Sequence, residues 1–363
     1  MRSLMTARHA VASRKNIPRT RTRLTPRRTN GTSDDSAARA LGHGPVSPVI
    51  EQRTVFMFAG EGSQYFQMGA ELYEQHPLFR KYMQDMDEIV RELCGYSVLQ
   101  LLYEQGYGKS ETFDRTLLSH PAIFMVQYAT SRVLISAGIT PDLTMGTGVG
   151  SFAAAAVARH IGMEGALIAV VRQAAMFETR CELGGMLAIR HDPALYDGPL
   201  RLNSEIACFN LPGHYVVAAK HDALRCIEET LRSKGVPVQK LAVPFAFHSR
   251  WVDEACDPFT RFMQSMTRRC SGIPVMCSSG AELLTELPAD YFWRAMREPV
   301  RLNSAIQRLE NEGTFRYIDV GPSATLSTIV THTLAHASAS TARATLTPFG
   351  HDLKNIAALI ESG

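Results

Sequence analysis

"LTMGTGVGSFAAAA", residues 143–156, decides the fold. A short apolar run ends in closely spaced glycines, and an alanine-rich helical pattern follows at once. Strand, tight turn and helix in that order are how a G-x-S-x-G motif exposes a serine above a sheet. Here the turn reads Gly146-Thr147-Gly148-Val149-Gly150, so Gly148 stands at the nucleophile position and offers no atom to acylate. The pattern therefore predicts the scaffold of a nucleophile elbow without its nucleophile.

The alternation continues on both sides of the elbow. "TVFMFAG" (54–60) reads as a buried first strand, and residues 61–90 have apolar positions at helical spacing. Residues 120–138 form a helix pattern stopped by Gly138, and a further helix covers about 163–180. The texture changes at Gly184-Gly185. "MLAIR", then two strands within 206–220, a helix over 221–235 and a strand over 236–247 predict a compact strand-rich insertion with helices on one face. "FRYIDVG" (315–321) is a last strand, with a last helix from Ala324. The expected architecture is α/β: a basic disordered tail over 1–50, an α/β-hydrolase-like core over 51–183 and 248–340, a ferredoxin-like subdomain over 184–247, and a C-terminal extension over 341–363.

Composition narrows the function classes. Residues 1–33 carry eight arginines and one lysine without an acid, leaving 29 bases and 35 acids in the rest of the chain. That segment lacks apolar periodicity, which predicts a solvated arm; organelle targeting and nucleic-acid contact are the other readings of such a composition. No apolar run reaches membrane-spanning length. Seven cysteines, scattered and without C-x-x-C, argue against a disulfide framework or a zinc site and fit a reducing cytoplasm. "AGEGSQ" (59–64) lacks the Lys-Ser/Thr of a phosphate-binding loop.

Six motifs in one order carry a resemblance. "FAGEGSQ" (58–64), "HPAIF" (120–124), "GTGVGS" (146–151), "FAFHS" (245–249), "REPVRLNSAI" (297–306) and "YIDVGPSATL" (317–326) together resemble the malonyl-CoA:acyl-carrier-protein acyltransferase family over about residues 54–332. Within it, "VFMFAGEGSQY", "FAAAAV" and "YFWRAMREPV" look most like the stand-alone proofreading acyl hydrolases of trans-acyltransferase polyketide synthases. The resemblance implies His248 as general base and the backbone amides of Val149 and Glu61 as oxyanion donors. Glu61 replaces a glutamine of the opening motif, and its carboxylate is expected either to oppose an oxyanion or to assist His248. Thr147 and Ser151 replace the histidine and glutamate of the elbow motif.

The arginine that pairs with malonate in the family falls on Gln173 here, with Arg172 beside it as the alternative register. A neutral Gln173 suits an uncharged acyl chain. Adjacent helical residues point about 100° apart, so only one of the two can occupy the selecting position. The resemblance implies an acyl-CoA or phosphopantetheinyl thioester substrate, no cofactor or metal, and an acyl-carrier protein or polyketide synthase carrier domain as partner, with neither nucleic acid nor membrane. Three activities remain open at this stage. They are an acyl hydrolase acting without the serine, a malonyl-CoA:acyl-carrier-protein transacylase, and a non-catalytic carrier-protein-binding pseudoenzyme.

Overall fold

The computed structural model describes residues 52–362 apart from 198, 199, 270 and 271. The expected tail over 1–50 lies outside the described residues.

The strands are β1 (Arg53–Phe58), β2 (Leu143–Gly146), β3 (Gly184–Ile189), β4 (Glu205–Leu211), β5 (His214–Lys220), β6 (Val238–Lys240), β7 (Val275–Cys277), β8 (Glu282–Leu284), β9 (Phe315–Asp319) and β10 (Thr341–Ala344). They form two sheets. The larger has the order β10-β9-β1-β2-β7-β8. Its strands run parallel except for β8, which pairs antiparallel with β7.

β1 shows why this sheet is central. Phe56 and Phe58 pack into one core and Val55 and Met57 into the other, all four fully buried. Apolar residues on both faces of one strand are what a parallel sheet covered on two sides demands. The helix Thr116–Ser136, apolar on every side and buried along most of its length, covers one face together with Gly150–Val157 and Met163–Arg180. The helices Leu302–Glu310 and Thr325–Thr333 cover the other. No described helix is long and apolar enough to cross a membrane.

The second sheet has four antiparallel strands in the order β4-β5-β3-β6. The amphipathic helix His221–Ser233 buries Leu224, Ile227 and Leu231 against it. The strand expected over 236–247 is short, because only Val238–Lys240 pairs with β3. Beyond it the chain keeps single backbone hydrogen bonds to β3, Leu241 N to Met186 O and Gly184 N to Pro244 O (both 3.0 Å). Two other expectations shift. The helical spacing from residue 61 becomes a turn, with the first helix starting at Ala70. The extension over 341–363 is no appendage, since β10 pairs with β9 at the sheet edge and the helix Asp352–Glu361 buries Ile356 and Leu359 in the core.

Candidate functional site

The elbow is built by steric exclusion. A Cβ at Gly146 would lie 2.5 Å from Ser151 Cα, and one at Gly150 would lie 2.3 Å from the Phe58 carbonyl oxygen. Neither position admits a side chain, so β2, β1 and the following helix pack backbone to backbone. Between them Gly148 takes φ +50°, in the left-handed region. Thr147 N donates to Phe58 O (3.0 Å), and Gly150 N and Ser151 N donate to the Thr147 and Gly148 carbonyls (2.9 and 3.0 Å). Ser151 is buried at the start of the elbow helix.

His248 faces this turn. Its Nε2 is 3.5 Å from where a Cβ on residue 148 would sit. The residue adopts φ +57°, unusual for a non-glycine, and two backbone carbonyls hold it there. Its N–H donates to Met296 O (3.1 Å), and Nδ1 lies 2.8 Å from Glu298 O. A carbonyl can only accept, so Nδ1 carries the proton and the Nε2 lone pair is left toward Gly148. Burial, aided by the nearby Arg297 guanidinium and opposed by the Glu298 carbonyl, lowers the imidazole to about 4. His248 is therefore neutral at physiological pH and oriented to accept a proton.

Glu298 is itself pinned. It caps the helix Tyr291–Arg297, donating to Arg294 O (2.9 Å). Two residues on, Val300 exchanges hydrogen bonds with β4: Val300 N to Ala207 O (2.9 Å) and Phe209 N to Val300 O (2.8 Å). The base is thus held where the two sheets meet.

A cavity of about 340 Å³ opens at this point, bordered by Gly60, Glu61, Gly148, Val149 and His248 at one end and by apolar side chains such as Met186, Val216, Leu302 and Ile329 along its walls. Among the described residues, the N–H groups of Glu61 and Val149 have no intramolecular acceptor. Two unsatisfied amides therefore border the cavity beside the oriented base.

The Glu61 carboxylate is engaged on the far side of its turn from His248 by a helix. Its side chain is 6% exposed and held by the helix Thr116–Ser136: Ser119 Oγ donates to Oε1 (2.9 Å), and His120 Nε2 lies 2.8 Å from Oε2 without hydrogen-bond alignment. Gln64 Nε2 adds a contact of 3.3 Å.

On the helix Met163–Arg180, Gln173 is buried and Arg172 exposed, so Gln173 is the residue turned inward. Neither lines the cavity. Both polar atoms of the Gln173 amide are buried without a hydrogen-bond partner. It lies one turn before Phe177, whose ring packs on Phe247 at 5.3 Å. Cys208 does line the cavity, but burial pushes its thiol up to about 12 and it donates to Asn210 Oδ1 (2.7 Å). A thiol kept protonated is a poor nucleophile. No group of described residues is arranged to hold a metal ion.

The sequence alone could not single out the Met296 and Glu298 carbonyls, because backbone atoms leave no residue signature. His120 was legible as part of a motif, though its pairing with Glu61 was not.

With this geometry in place, residues 55–360 match the model of the acyl transferase domain family. The chain belongs to that family. It is 42% identical over 302 residues to the polyketide biosynthesis acyltransferase homolog BaeD of Bacillus velezensis, covering 83% of this chain and 93% of that protein. It is 38% identical over 309 residues to the homolog PksD of Bacillus subtilis, covering 85% and 95%. Among solved structures, the acyltransferase domain from the second module of the salinomycin polyketide synthase superposes with a TM-score of 0.76 at 25% identity, over 86% of this chain and 73% of that one. This acyl transferase domain thus shares its parallel-sheet architecture with the salinomycin synthase domain, and its match to the two Bacillus homologs covers nearly their whole length.

Proposed function

We propose that this acyl transferase domain protein acts in polyketide biosynthesis, where it binds acyl thioesters of carrier proteins and hydrolyses them without forming an acyl-enzyme. The observation that carries the reading is the 3.5 Å between His248 Nε2 and the Cβ position of residue 148. A water beside Gly148 sits where a serine hydroxyl would otherwise be, within reach of a neutral, oriented imidazole. In the proposed reaction Nε2 takes a proton from this water as its oxygen attacks the thioester carbonyl. The developing oxyanion is received by the Glu61 and Val149 amides. Collapse expels the thiolate, which takes the proton back from His248 and leaves as the carrier's free thiol.

The similarity to BaeD and PksD across nearly their whole length supports an acyltransferase homolog that meets carrier domains in trans. On this reading the larger sheet, with β10 and the last helix included, is an α/β-hydrolase-like core and the four-stranded sheet a ferredoxin-like subdomain (184–247), with the thioester entering between them. The apolar cavity wall favours uncharged acyl groups over malonyl, whose carboxylate would be poorly compensated there. We place the protein in the cytoplasm, without cofactor, nucleic acid or membrane.

The test incubates acetyl-, butyryl- and malonyl-loaded carrier proteins with the protein and follows each by intact mass. Loss of the uncharged acyl groups, with malonyl retained, supports the reading. Binding without any loss replaces it with a non-catalytic carrier-binding role, and transfer of malonyl to a second carrier replaces it with a transacylase.

A further inference from the structure

The turn that carries the Glu61 amide is gripped from behind by one helix. Along Thr116–Ser136, Ser119 and His120 hold the Glu61 carboxylate, and Gln127 Nε2 donates to Ala59 O at 3.1 Å. Ser119, His120 and Gln127 are all fully buried. Seven residues separate His120 from Gln127, two helical turns, so both face the turn. Pro121 lies inside this helix and supplies no N–H to the Leu117 carbonyl, and the Tyr96 hydroxyl takes that carbonyl instead.

A buried carboxylate is costly unless it is paired and hydrogen-bonded. Here Ser119, Gln64 and His120 surround it, which confines the Glu61 side chain to one place on the helix side. With the side chain anchored there, the N–H of the same residue is left bordering the cavity without an acceptor. The front of the turn is fixed as well: a Cβ on Gly60 would lie 2.7 Å from Thr147 O, so the turn sits directly on the elbow.

His120 has a second contact. Its ring lies 5.7 Å from that of Phe247, the residue preceding the base. One buried imidazole thus touches both the turn that offers an amide and the segment that presents His248.

We propose that His120 is a positioning residue which, through the Glu61 carboxylate and the Phe247 ring, sets the Glu61 amide and the His248 imidazole relative to each other. The proposal rests on the reading of the cleft given above, and two independent measurements separate them. In the full chain, selectively labelled for the Glu61 amide and the histidine rings, His120→Ala is expected to move both the Glu61 amide and the His248 ring resonances. The exposed His332 ring should stay in place. His120→Gln, which still offers a donor to the carboxylate, should hold both near their original positions. His120→Asn, a smaller disturbance to the core, should shift them in the same direction as alanine.

In a Gly148→Ser background, His120→Ala should slow labelling by a fluorophosphonate roughly ten- to a hundredfold at saturating reagent, with an unchanged half-saturating concentration. His120→Gln should recover most of that rate. The proposal is overturned if the Glu61 and His248 signals stay put in the alanine and asparagine variants, or if glutamine and alanine behave alike. If Gly148→Ser takes no label at all, the hydrolytic reading of the cleft fails, and the resonances alone decide the role of His120.

Discussion

The elbow and the segment that carries His248 face each other across the cleft, and they differ in what they present to it. The elbow presents a glycine, Gly148, 3.5 Å (from its would-be Cβ) from His248 Nε2. At Gly146 and Gly150 an added Cβ would come within 2.5 and 2.3 Å of neighbouring backbone, so a side chain at either would unpack β1 from the helix. Residue 148 is under no such constraint. Its left-handed φ of +50° strains a serine and suits a glycine. The His248 segment keeps a reactive side chain in a strained conformation, φ +57°, with both partners present. Strain persists only where the surroundings over-determine it. The side of the cleft that retains strain is the side to which we assign chemistry.

The comparison is broken most severely by removing the base. His248→Ala should lower thioester hydrolysis by about a hundredfold or more, the usual range for a general base, as followed by release of carrier thiol. A loss of less than threefold would mean that the base side is as inert as the elbow.

The pH dependence of folding sharpens the same contrast. The His248 imidazole sits at about 4 in the fold against an ordinary 6.5. Its contribution is complete above about pH 6.5 and is lost as pH falls through 4, in total about 3 kcal/mol. Asp319 acts in the opposite sense. Burial raises it from 3.8 to about 6, against the amides of Gly321 and Ser327 that favour its charge. Its contribution is present at low pH and lost as pH rises through 6, again about 3 kcal/mol. Between pH 4 and 6 the two offset each other. Thermal melts of His248→Gln should therefore gain stability toward acid, and those of Asp319→Asn should lose it. Parallel profiles in the two variants would contradict this assignment.

Next in size is repair of the elbow. Gly148→Ser should cost about 1–2 kcal/mol in stability for a side chain at positive φ. It should also acquire fluorophosphonate labelling at residue 148 that depends on His248. A serine variant that melts like the parent would show that the turn had relaxed out of the left-handed region.

These contrasts also mark what the sequence could convey. The β1 run, the elbow glycines and the antiparallel hairpin at 206–220 were legible because close packing and strand alternation leave a residue pattern. The edge strand β10 was not, since Thr341–Ala344 is only four residues long with two alanines as its apolar positions, and takes its structure from pairing with β9. In the site, His248 and the position of Gly148 could be read from motif spacing. The Glu61 amide was expected at the cleft, but the partners of its carboxylate could not be read: they come from a helix some sixty residues away in sequence. Gln173 was read as contacting the acyl group, yet it lies buried outside the cavity lining.

Two substitutions on the helix Met163–Arg180 test that last point. Gln173→Arg places an unpaired charge against Phe177 and the core, and should lower stability by about 3 kcal/mol, more than it alters acyl preference. Arg172→Ala on the exposed face should change stability by less than about 0.5 kcal/mol and leave the ratio of acetyl to malonyl cleavage unchanged. A loss of malonyl binding in Arg172→Ala would restore the alternative register.

The central claim is hydrolysis by a water beside Gly148, with no covalent relay. A single turnover of butyryl-carrier protein in H₂¹⁸O tests it most directly, with intact mass of the protein recorded through the reaction. The account predicts one ¹⁸O in the released butyrate and no butyryl adduct on the protein at any time. An adduct of butyryl mass on any residue would contradict it.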